Sequence, residues 1–471
     1  MINLNSKRYL LLACLAGGIA GCMHYQPRPL NLTESAASFS SVTLSDPKIQ
    51  ERLDALGMSD SIQTGQWNRA QLLVVASERN PKISIAKSQL KVAAAAKKTA
   101  IALPNPTLGL GAEYNLSQTS ESPWLWSVST DWLLDLGLHR DLRIQAADTE
   151  LQAVRLDYAE ALWTVRGELR SALLSYLIST KKVDVLTQLE SHQVQLLDIQ
   201  LQRISHGESS QNDAFQVELE LARTRSNLAD SIRTRSQSQA QIAEVLGVPV
   251  SAVQSQSLIW DDLMQMTPID EASLTILRDR ALLSRTDLER AVNDYQRSEL
   301  SLKQAINDQY PQFSIGPGYS WDHGVKKISF GLSFGLPVFN RNQGPIEEAL
   351  ALREQAGQRA FLVQTKITNE IDSALQSYQL SIKSMQAVIH QHEIAGNLAV
   401  QVQQSMMLGA ADRSDEIAAQ VNVDIQSLAV LDSVERMQQS FGQLEDALRM
   451  PLSGPEVLLN RQVLLQSKSE Q

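Results

Sequence analysis

Two stretches of this chain carry helical patterning far longer than an ordinary globular domain uses, and they are copies of one another. In 141–205 the residues Ile144, Ala147, Leu151, Val154, Tyr158, Ala161, Val165, Leu169, Ala172 and Tyr176 step mainly by alternating threes and fours, the spacing of a coiled-coil seam. At about 1.5 Å per residue such a helix runs to roughly 100 Å and needs neighbours along its whole length. The second stretch, 345–408, repeats the first at an offset of 202, with five of eight residues identical between Ala172–Ser179 and Ala374–Ser381. At the same offset Gly207 meets Gly409, Asp213 meets Asp415, Leu246 meets Leu448 and Pro249 meets Pro451. Upstream the offset is 205, pairing Leu72 with Leu277, Ala76 with Ala281 and Pro106 with Pro311. The change falls in loops, where insertions are tolerated.

Each copy has the same predicted order. A helix of about 25 residues (81–104 and 286–310) precedes two strands (106–115 with 124–133, and 311–320 with 328–337). A very long helix follows (141–205 and 345–408), then a glycine turn and a shorter returning helix (210–246 and 413–448). The two short helices of a copy nearly match the long one in summed length, so stacked end to end they line it. The expected fold class is mainly α with small β, built on a duplicated helix–strand–strand–long helix–turn–helix unit. The expected boundaries are a signal peptide at 1–21, a lipidated tether at 22–66, repeats at 67–250 and 271–451, a linker at 251–270 and a tail at 452–471.

The strands alternate with period two. Ile328, Phe330, Leu332, Phe334 and Leu336 oppose Ser329, Gly331, Ser333 and Gly335. Trp124, Trp126, Val128 and Trp132 oppose Ser127, Ser129 and Asp131; Phe313, Ile315 and Tyr319 oppose Ser314, Gly316 and Gly318; Leu108, Leu110 and Tyr114 oppose Gly109, Gly111 and Glu113. An apolar outer face over a small, polar inner face is the transmembrane-barrel pattern. The aromatic residues concentrate in the same segments, 11 of 24 falling in 106–133 and 310–340, as an interfacial girdle requires. A soluble sandwich would leave the apolar face uncovered. Four strands leave open edges, which lipid does not tolerate, and closed bacterial barrels need eight or more strands. A dimer's eight strands fill themselves with side chains, whereas a trimer's twelve leave a lumen, so a homotrimer is expected.

Ahead of the repeats, Lys7 and Arg8 precede an apolar run from Leu10 to Ile19 that is too short to span a bilayer. The run ends in Ile19-Ala20-Gly21-Cys22, the pattern of a bacterial lipobox, which predicts lipid attachment at Cys22. Met23 after it favours the outer membrane, by resemblance to enterobacterial sorting. Cys14 falls in the removed segment, leaving one cysteine and hence no internal disulfide. Residues 23–66 read as an extended tether. No later apolar run reaches the length of a membrane helix. The net charge of −10 argues against a nucleic-acid partner. No Gly-rich phosphate loop and no nucleophile constellation is legible, so neither an enzyme nor a cofactor is expected. His390 and His392 lie on different helix faces, and Met406 and Met407 suit packing at a helix end, so no metal site is expected.

Lipobox, duplicated unit and a glycine at each hairpin tip together resemble the TolC family of outer-membrane efflux proteins, over residues 67 to about 451. The resemblance implies a trimeric periplasmic α-barrel topped by a twelve-strand transmembrane β-barrel in outer-membrane lipid, a passive exit duct. It also implies a periplasmic adaptor and an inner-membrane pump, of RND type, as partners. It assigns adaptor docking and gating to the tips, here Gly207, Ser209 and Asp213, and Gly409, Ser414 and Asp415. Asp415, with Asp213, becomes the candidate for a carboxylate ring. Gly207 and Gly409 suit a left-handed C-cap, and Ser209 or Ser210, and Ser414, can cap the returning helices. Trp124, Trp126, Trp132, Phe313, Tyr319, Phe330, Leu332 and Phe334 form the expected membrane belt. The chain departs from the family prototype at Ile204, Met406, Ser209, Ala411, Gln216 and Ala418, where Tyr, Arg and a second Asp are absent, so other contacts must hold its gate. The alternative reading is a lipid-anchored periplasmic coiled-coil adaptor or spacer without a pore, which would be a monomer released from the inner membrane.

Overall fold

The sequence Asn80-Pro81 breaks one helix and starts the next. The Asn80 side-chain oxygen accepts from the N–H groups of Lys82 and Ile83, Pro81 takes the first helical position where no N–H is needed, and the Asn80 amide donates to Val245 O at 2.7 Å. Such local rules set the elements of the computed structural model, which describes residues 25–58, 65–117, 122–134, 138–254, 256–259, 261–266, 276–279, 281, 285–322 and 324–457. The chain divides after Val42 into two units. The described part of the first holds α1 (Leu32–Ser40), capped by Asn31.

The second unit begins with α2 (Pro47–Ala55), β1 (Gln66–Asn68) and α3 (Arg69–Arg79). The first repeat continues through α4 (Pro81–Ile101), β2 (Thr107–Tyr114), β3 (Trp124–Leu134), the 67-residue α5 (His139–Ser205) and α6 (Gln211–Leu246). A connector carries α7 (Val250–Gln254), β4 (Ser257–Ile259) and a 3-10 turn at Asp261–Met264. The second repeat holds α8 (Thr286–Asn307), β5 (Phe313–Asp322), β6 (Val325–Phe334), the 65-residue α9 (Gln343–Met407) and α10 (Arg413–Leu448).

Helices match the expected boundaries closely. The second hairpin differs: its strands pair at 313–322 with 325–334 rather than 311–320 with 328–337. A turn through Gly324, at φ +100°, brings Val325 opposite Asp322, and Lys327 pairs with the Asp322 carboxylate, so two lysines that look like loop residues lie in the strand. The expected tether is also corrected. Within 43–68 the chain forms α2, packed on α3 through Leu53, which is fully buried, and then β1, which pairs in parallel with β4 of the connector. The cause is long-range: Trp67 is buried and its indole N–H donates to Gln256.

The long helices differ in company. α5 shares extended contacts with α4, α6, α8 and α10, taken from both repeats, whereas α9 shares them with α8 and α10. Accordingly α5 buries Val165, Leu169, Leu173, Leu177 and Ile178 near its middle, whereas α9 leaves Phe361 and Leu362 exposed.

The helix ends also separate the copies. Gly247 ends α6 at φ +68°, where an added Cβ would stand 2.4 Å from Arg79 O. At the equivalent end of α10 Arg449 takes φ +50°, a conformation costly for a residue with a Cβ, and its guanidinium reaches Glu160 at 2.6 Å.

Candidate functional site

The antiparallel sheet has strand order β2-β3-β5-β6, with β2 and β6 each paired on one side only among the described residues. Its register sets Ala112 beside Trp126 and Trp126 beside Trp321, Val128 beside Tyr319, Pro317 beside Phe330, Ile315 beside Leu332, and Phe313 beside Phe334. Trp124, Trp126, Trp132, Phe313, Tyr319, Phe330, Leu332 and Phe334 therefore share one face. On it Trp124 stacks on Trp126 at 5.3 Å, and Phe313 meets Phe334 at 5.2 Å. On the other face glycine and serine alternate across the strands in the row Gly109, Ser129, Gly318, Ser329. A Cβ on Gly109 would stand 2.7 Å from Ser129 Oγ, and one on Gly318 2.7 Å from Ser329 Oγ. The hydroxyls thus occupy the space the glycines leave, and the face stays low and polar. No described helix is long and apolar enough to cross a membrane.

At the opposite end of the long helices, both tips use one device. Gly207 and Gly409 adopt φ +76° and +73°, closing α5 and α9 through Glu208 N to Arg203 O at 2.9 Å and Ala410 N to Ser405 O at 2.8 Å. In the first tip Ser210 is the cap of α6. Its hydroxyl accepts from Asp213 N, and the Asp213 carboxylate accepts from Ser210 N, closing a reciprocal capping box. Ser209 is not the cap; its hydroxyl donates to Asp213 Oδ2 at 3.1 Å. In the second tip the cap is Asp412, not Ser414. Asp412 Oδ1 accepts from Asp415 N, and Asp415 Oδ2 accepts from Asp412 N, both at 3.0 Å. Ser414 lies one step inside the helix, buried, and its hydroxyl donates to Asp412 Oδ1 at 2.6 Å.

These bonds shift two carboxyls. The hydroxyl and N–H of Ser210, then the hydroxyl of Ser209, hold Asp213 below the ordinary carboxylate range. The hydroxyl of Ser414 and the N–H of Asp415, then the charge of Arg203, do the same for Asp412. A lowered carboxyl pKa contributes stability above its unfolded value, 3.8, that is lost as pH falls through the folded value. Both caps therefore keep their full contribution at neutral pH. Ser210→Ala or Asp412→Ala is expected to cost about 1 kcal/mol of local stability. The readout is amide exchange at 211–214 and 413–416, and unchanged exchange would remove the capping role.

Sequence reasoning missed what joins the tips. Arg203, near the end of α5, donates to Asp412 Oδ2 at 3.3 Å and to Ser414 Oγ at 3.1 Å, linking the first tip to the second. Two more rungs follow between α5 and α10: His192 Nδ1 to Asp424 Oδ2 at 2.6 Å, and Lys182 Nζ to Asp432 and Glu435 at 2.7 and 2.9 Å. The signal was available, since basic residues recur about every three turns along α5. The second copy has Ser384, Ile394 and Ser405 at the equivalent positions. On the second hairpin a groove of about 470 Å³ runs between α9 and α10, lined by Leu398, Val402, Ser405, Ala411, Asp415 and Ala418.

Midway along α5 a buried charge network binds distant segments. The Arg166 guanidinium meets Glu456 at 2.6 Å and Glu445 at 2.8 Å; Arg170 meets Glu445 at 3.3 Å and the Gln438 carbonyl at 2.9 Å; Arg69 meets Asp262 at 2.7 Å. Glu445 also accepts from Leu452 N at 2.7 Å. Residues 452–457, expected to lie in the tail, are thus held in the interior through Glu456. Burial pulls down the pKa of Arg166, but Glu456 and Glu445 more than reverse this, leaving it raised and the guanidinium charged. Cys22 lies outside the described residues.

Two apolar-faced hairpins joined in one sheet, at one end of two long helical hairpins, make the fold seen in solved outer-membrane channels. Residues 72–248 match the family described as outer membrane efflux protein. The cobalt-zinc-cadmium resistance protein CzcC of Cupriavidus metallidurans is 22% identical over 325 residues, covering 67% of this chain and 73% of that one. Among solved structures, the outer membrane protein VceC of Vibrio cholerae superposes with TM-score 0.66 at 16% identity, covering 82% of this chain and 97% of that one. The open state of the Neisseria gonorrhoeae MtrE outer membrane channel gives TM-score 0.66 at 14% identity, covering 82% and 89%. These likenesses to solved channels are likenesses of fold. Over residues 72–248 the chain is thus similar to the outer membrane efflux protein family, a family of channels.

Proposed function

We propose that three copies of this chain form the outer-membrane exit duct of a tripartite efflux system. The observation that carries this reading is the four-stranded sheet, apolar on one face, Gly/Ser-lined on the other and open at both edges. Pairing β6 of one copy with β2 of the next closes twelve strands around a lumen and leaves no edge in lipid. The belt residues then face lipid, and strands of 8–11 residues suit the bilayer. Cys22 carries the lipid anchor. The tips receive a periplasmic adaptor, which joins the duct to an inner-membrane pump of RND type. A heat-sensitive trimer in outer-membrane fractions supports the duct; a monomer released from the inner membrane would restore the spacer reading.

In place of the Tyr, Arg and second Asp of the family prototype, the rungs between α5 and α10 hold the gate, with Arg203 the outermost. Arg203→Ala frees the second tip from the first and should raise single-channel conductance in planar bilayers severalfold at unchanged trimer yield. In parallel, Asp415→Ala tests the carboxylate ring by weaker block with trivalent cations. Wild-type conductance in Arg203→Ala would remove the latch, and wild-type block in Asp415→Ala would leave that residue a helix cap only.

A further inference from the structure

Between the last residues of the sheet and the first of the long helix lies a pocket of about 420 Å³. His139 at the start of α5, the turn Asp308–Gln312 after α8, and Gly335–Pro337 after β6 form its walls. His139 is 92% buried and sets Nδ1 3.5 Å from Asp308 Oδ1, which also accepts from the Gln304 amide at 2.8 Å. Both contacts fall on Oδ1, so Oδ2 of this carboxylate is left for a ligand. Among the described residues no lysine or arginine lines the pocket.

Two helix ends of opposite sign meet at this place. The C-terminus of α8 adds partial negative charge beside Asp308. The start of α5 adds partial positive charge, because Leu138 in the cap position offers no side-chain acceptor to the first N–H groups, while Asp141 in the first turn offsets part of that charge. A ligand matching both would carry a cation at one end and an anion at the other. The surroundings name its remainder: Tyr310 and Leu336 line the pocket and are exposed, and Leu138, Val338 and Phe339, next to its lining residues in the sequence, are exposed as well.

We propose that this pocket binds the headgroup of a zwitterionic ethanolamine phospholipid of the inner leaflet, with the ammonium on Asp308 and the phosphate at the start of α5. The proposal rests on the outer-membrane placement of the sheet. An ammonium with three N–H donors suits a carboxylate with a spare oxygen, whereas an anionic glycerol headgroup would meet Asp308 without a countercharge. The acyl chains lie along the exposed collar and join the lipid around the belt. The site would fix the height of the barrel at the point where strands give way to helices.

The test uses the delipidated full chain in non-ionic detergent, titrated with dioleoyl phosphatidylethanolamine or dioleoyl phosphatidylglycerol and weighed by native mass spectrometry. The wild-type protein should retain the ethanolamine lipid over the glycerol lipid. Asp308→Asn should lower that retention about tenfold, the scale of one charge-assisted hydrogen bond, and leave the weak glycerol retention unchanged. Equal retention of the two lipids by the wild type overturns the proposal without any variant, as does undiminished ethanolamine retention in Asp308→Asn. A chain recovered in the soluble periplasmic fraction would instead overturn the membrane placement, a separate outcome read before any lipid is added.

Discussion

An arginine at Phe330 is expected to abolish assembly, whereas an arginine at the adjacent Ser329 should leave assembly intact and lower flux. The two positions neighbour each other on β6 but lie on opposite faces, Phe330 beside Pro317 and Ser329 beside Gly318. A charge on the lipid face near the bilayer midplane costs about 2–4 kcal/mol, and the proposed trimer repeats that cost in every copy. On the inner face the same side chain reaches water. Semi-native gels of outer-membrane fractions measure assembly, and efflux of a dye measures flux. Equal oligomer yields from the two variants would reverse the facing argued from the register.

The second large effect is expected at Glu445, which is 1% exposed and holds Arg166, Arg170 and Leu452 N together. Glu445→Ala leaves two buried guanidinium groups short of a carboxylate, a loss of about 3–5 kcal/mol. The exposed pair Arg233–Asp230 is the control, since removing a surface ion pair changes stability by about 1 kcal/mol or less. Thermal unfolding of the purified protein compares the two. A Glu445→Ala midpoint within a degree of the Asp230→Ala midpoint would show that the network contributes nothing. The glycines beside it set its geometry: a Cβ on Gly442 would stand 2.4 Å from Arg170 Nη1, and one on Gly454 would stand 2.1 Å from Arg69 Nη2.

Local order explains what could be read from the sequence. The long helices and the strand faces were legible because spacings near 3.5 and 2.0 are written within a few residues. Hairpin positions followed from glycines that the structure puts at positive φ. Caps were legible only as serines near each tip: Ser210 serves in the first, and in the second Asp412 takes the place expected of Ser414 because it stands at the entry to the helix. The second β-hairpin shifted because Lys326 and Lys327 look like loop residues until Lys327 is found paired with the Asp322 carboxylate. The charge network was hidden for a different reason. Arg166 and Glu456 are separated by 290 positions, and each alone reads as surface. The rungs from Arg203, His192 and Lys182 share that obscurity, although their spacing along α5, absent from the second copy, was a usable sign.

The unequal company of the two long helices bears on how such a chain matures. Because α5 collects neighbours from both repeats of its own chain, its interior amides are closed off as soon as a single copy has folded. α9 has fewer such neighbours and keeps Phe361 and Leu362 in water. Hydrogen exchange in a lone copy should accordingly be slowest in α5 and faster in α9, because local opening is easiest where buried contacts are few. In the proposed trimer the last ordering event is then an encounter between copies, and its rate depends on how much folded chain is present. During that interval the uncovered side of α9 and the free edges of β2 and β6 are also the surfaces through which stray copies would aggregate, so the same exposure sets both the pace of maturation and its principal hazard.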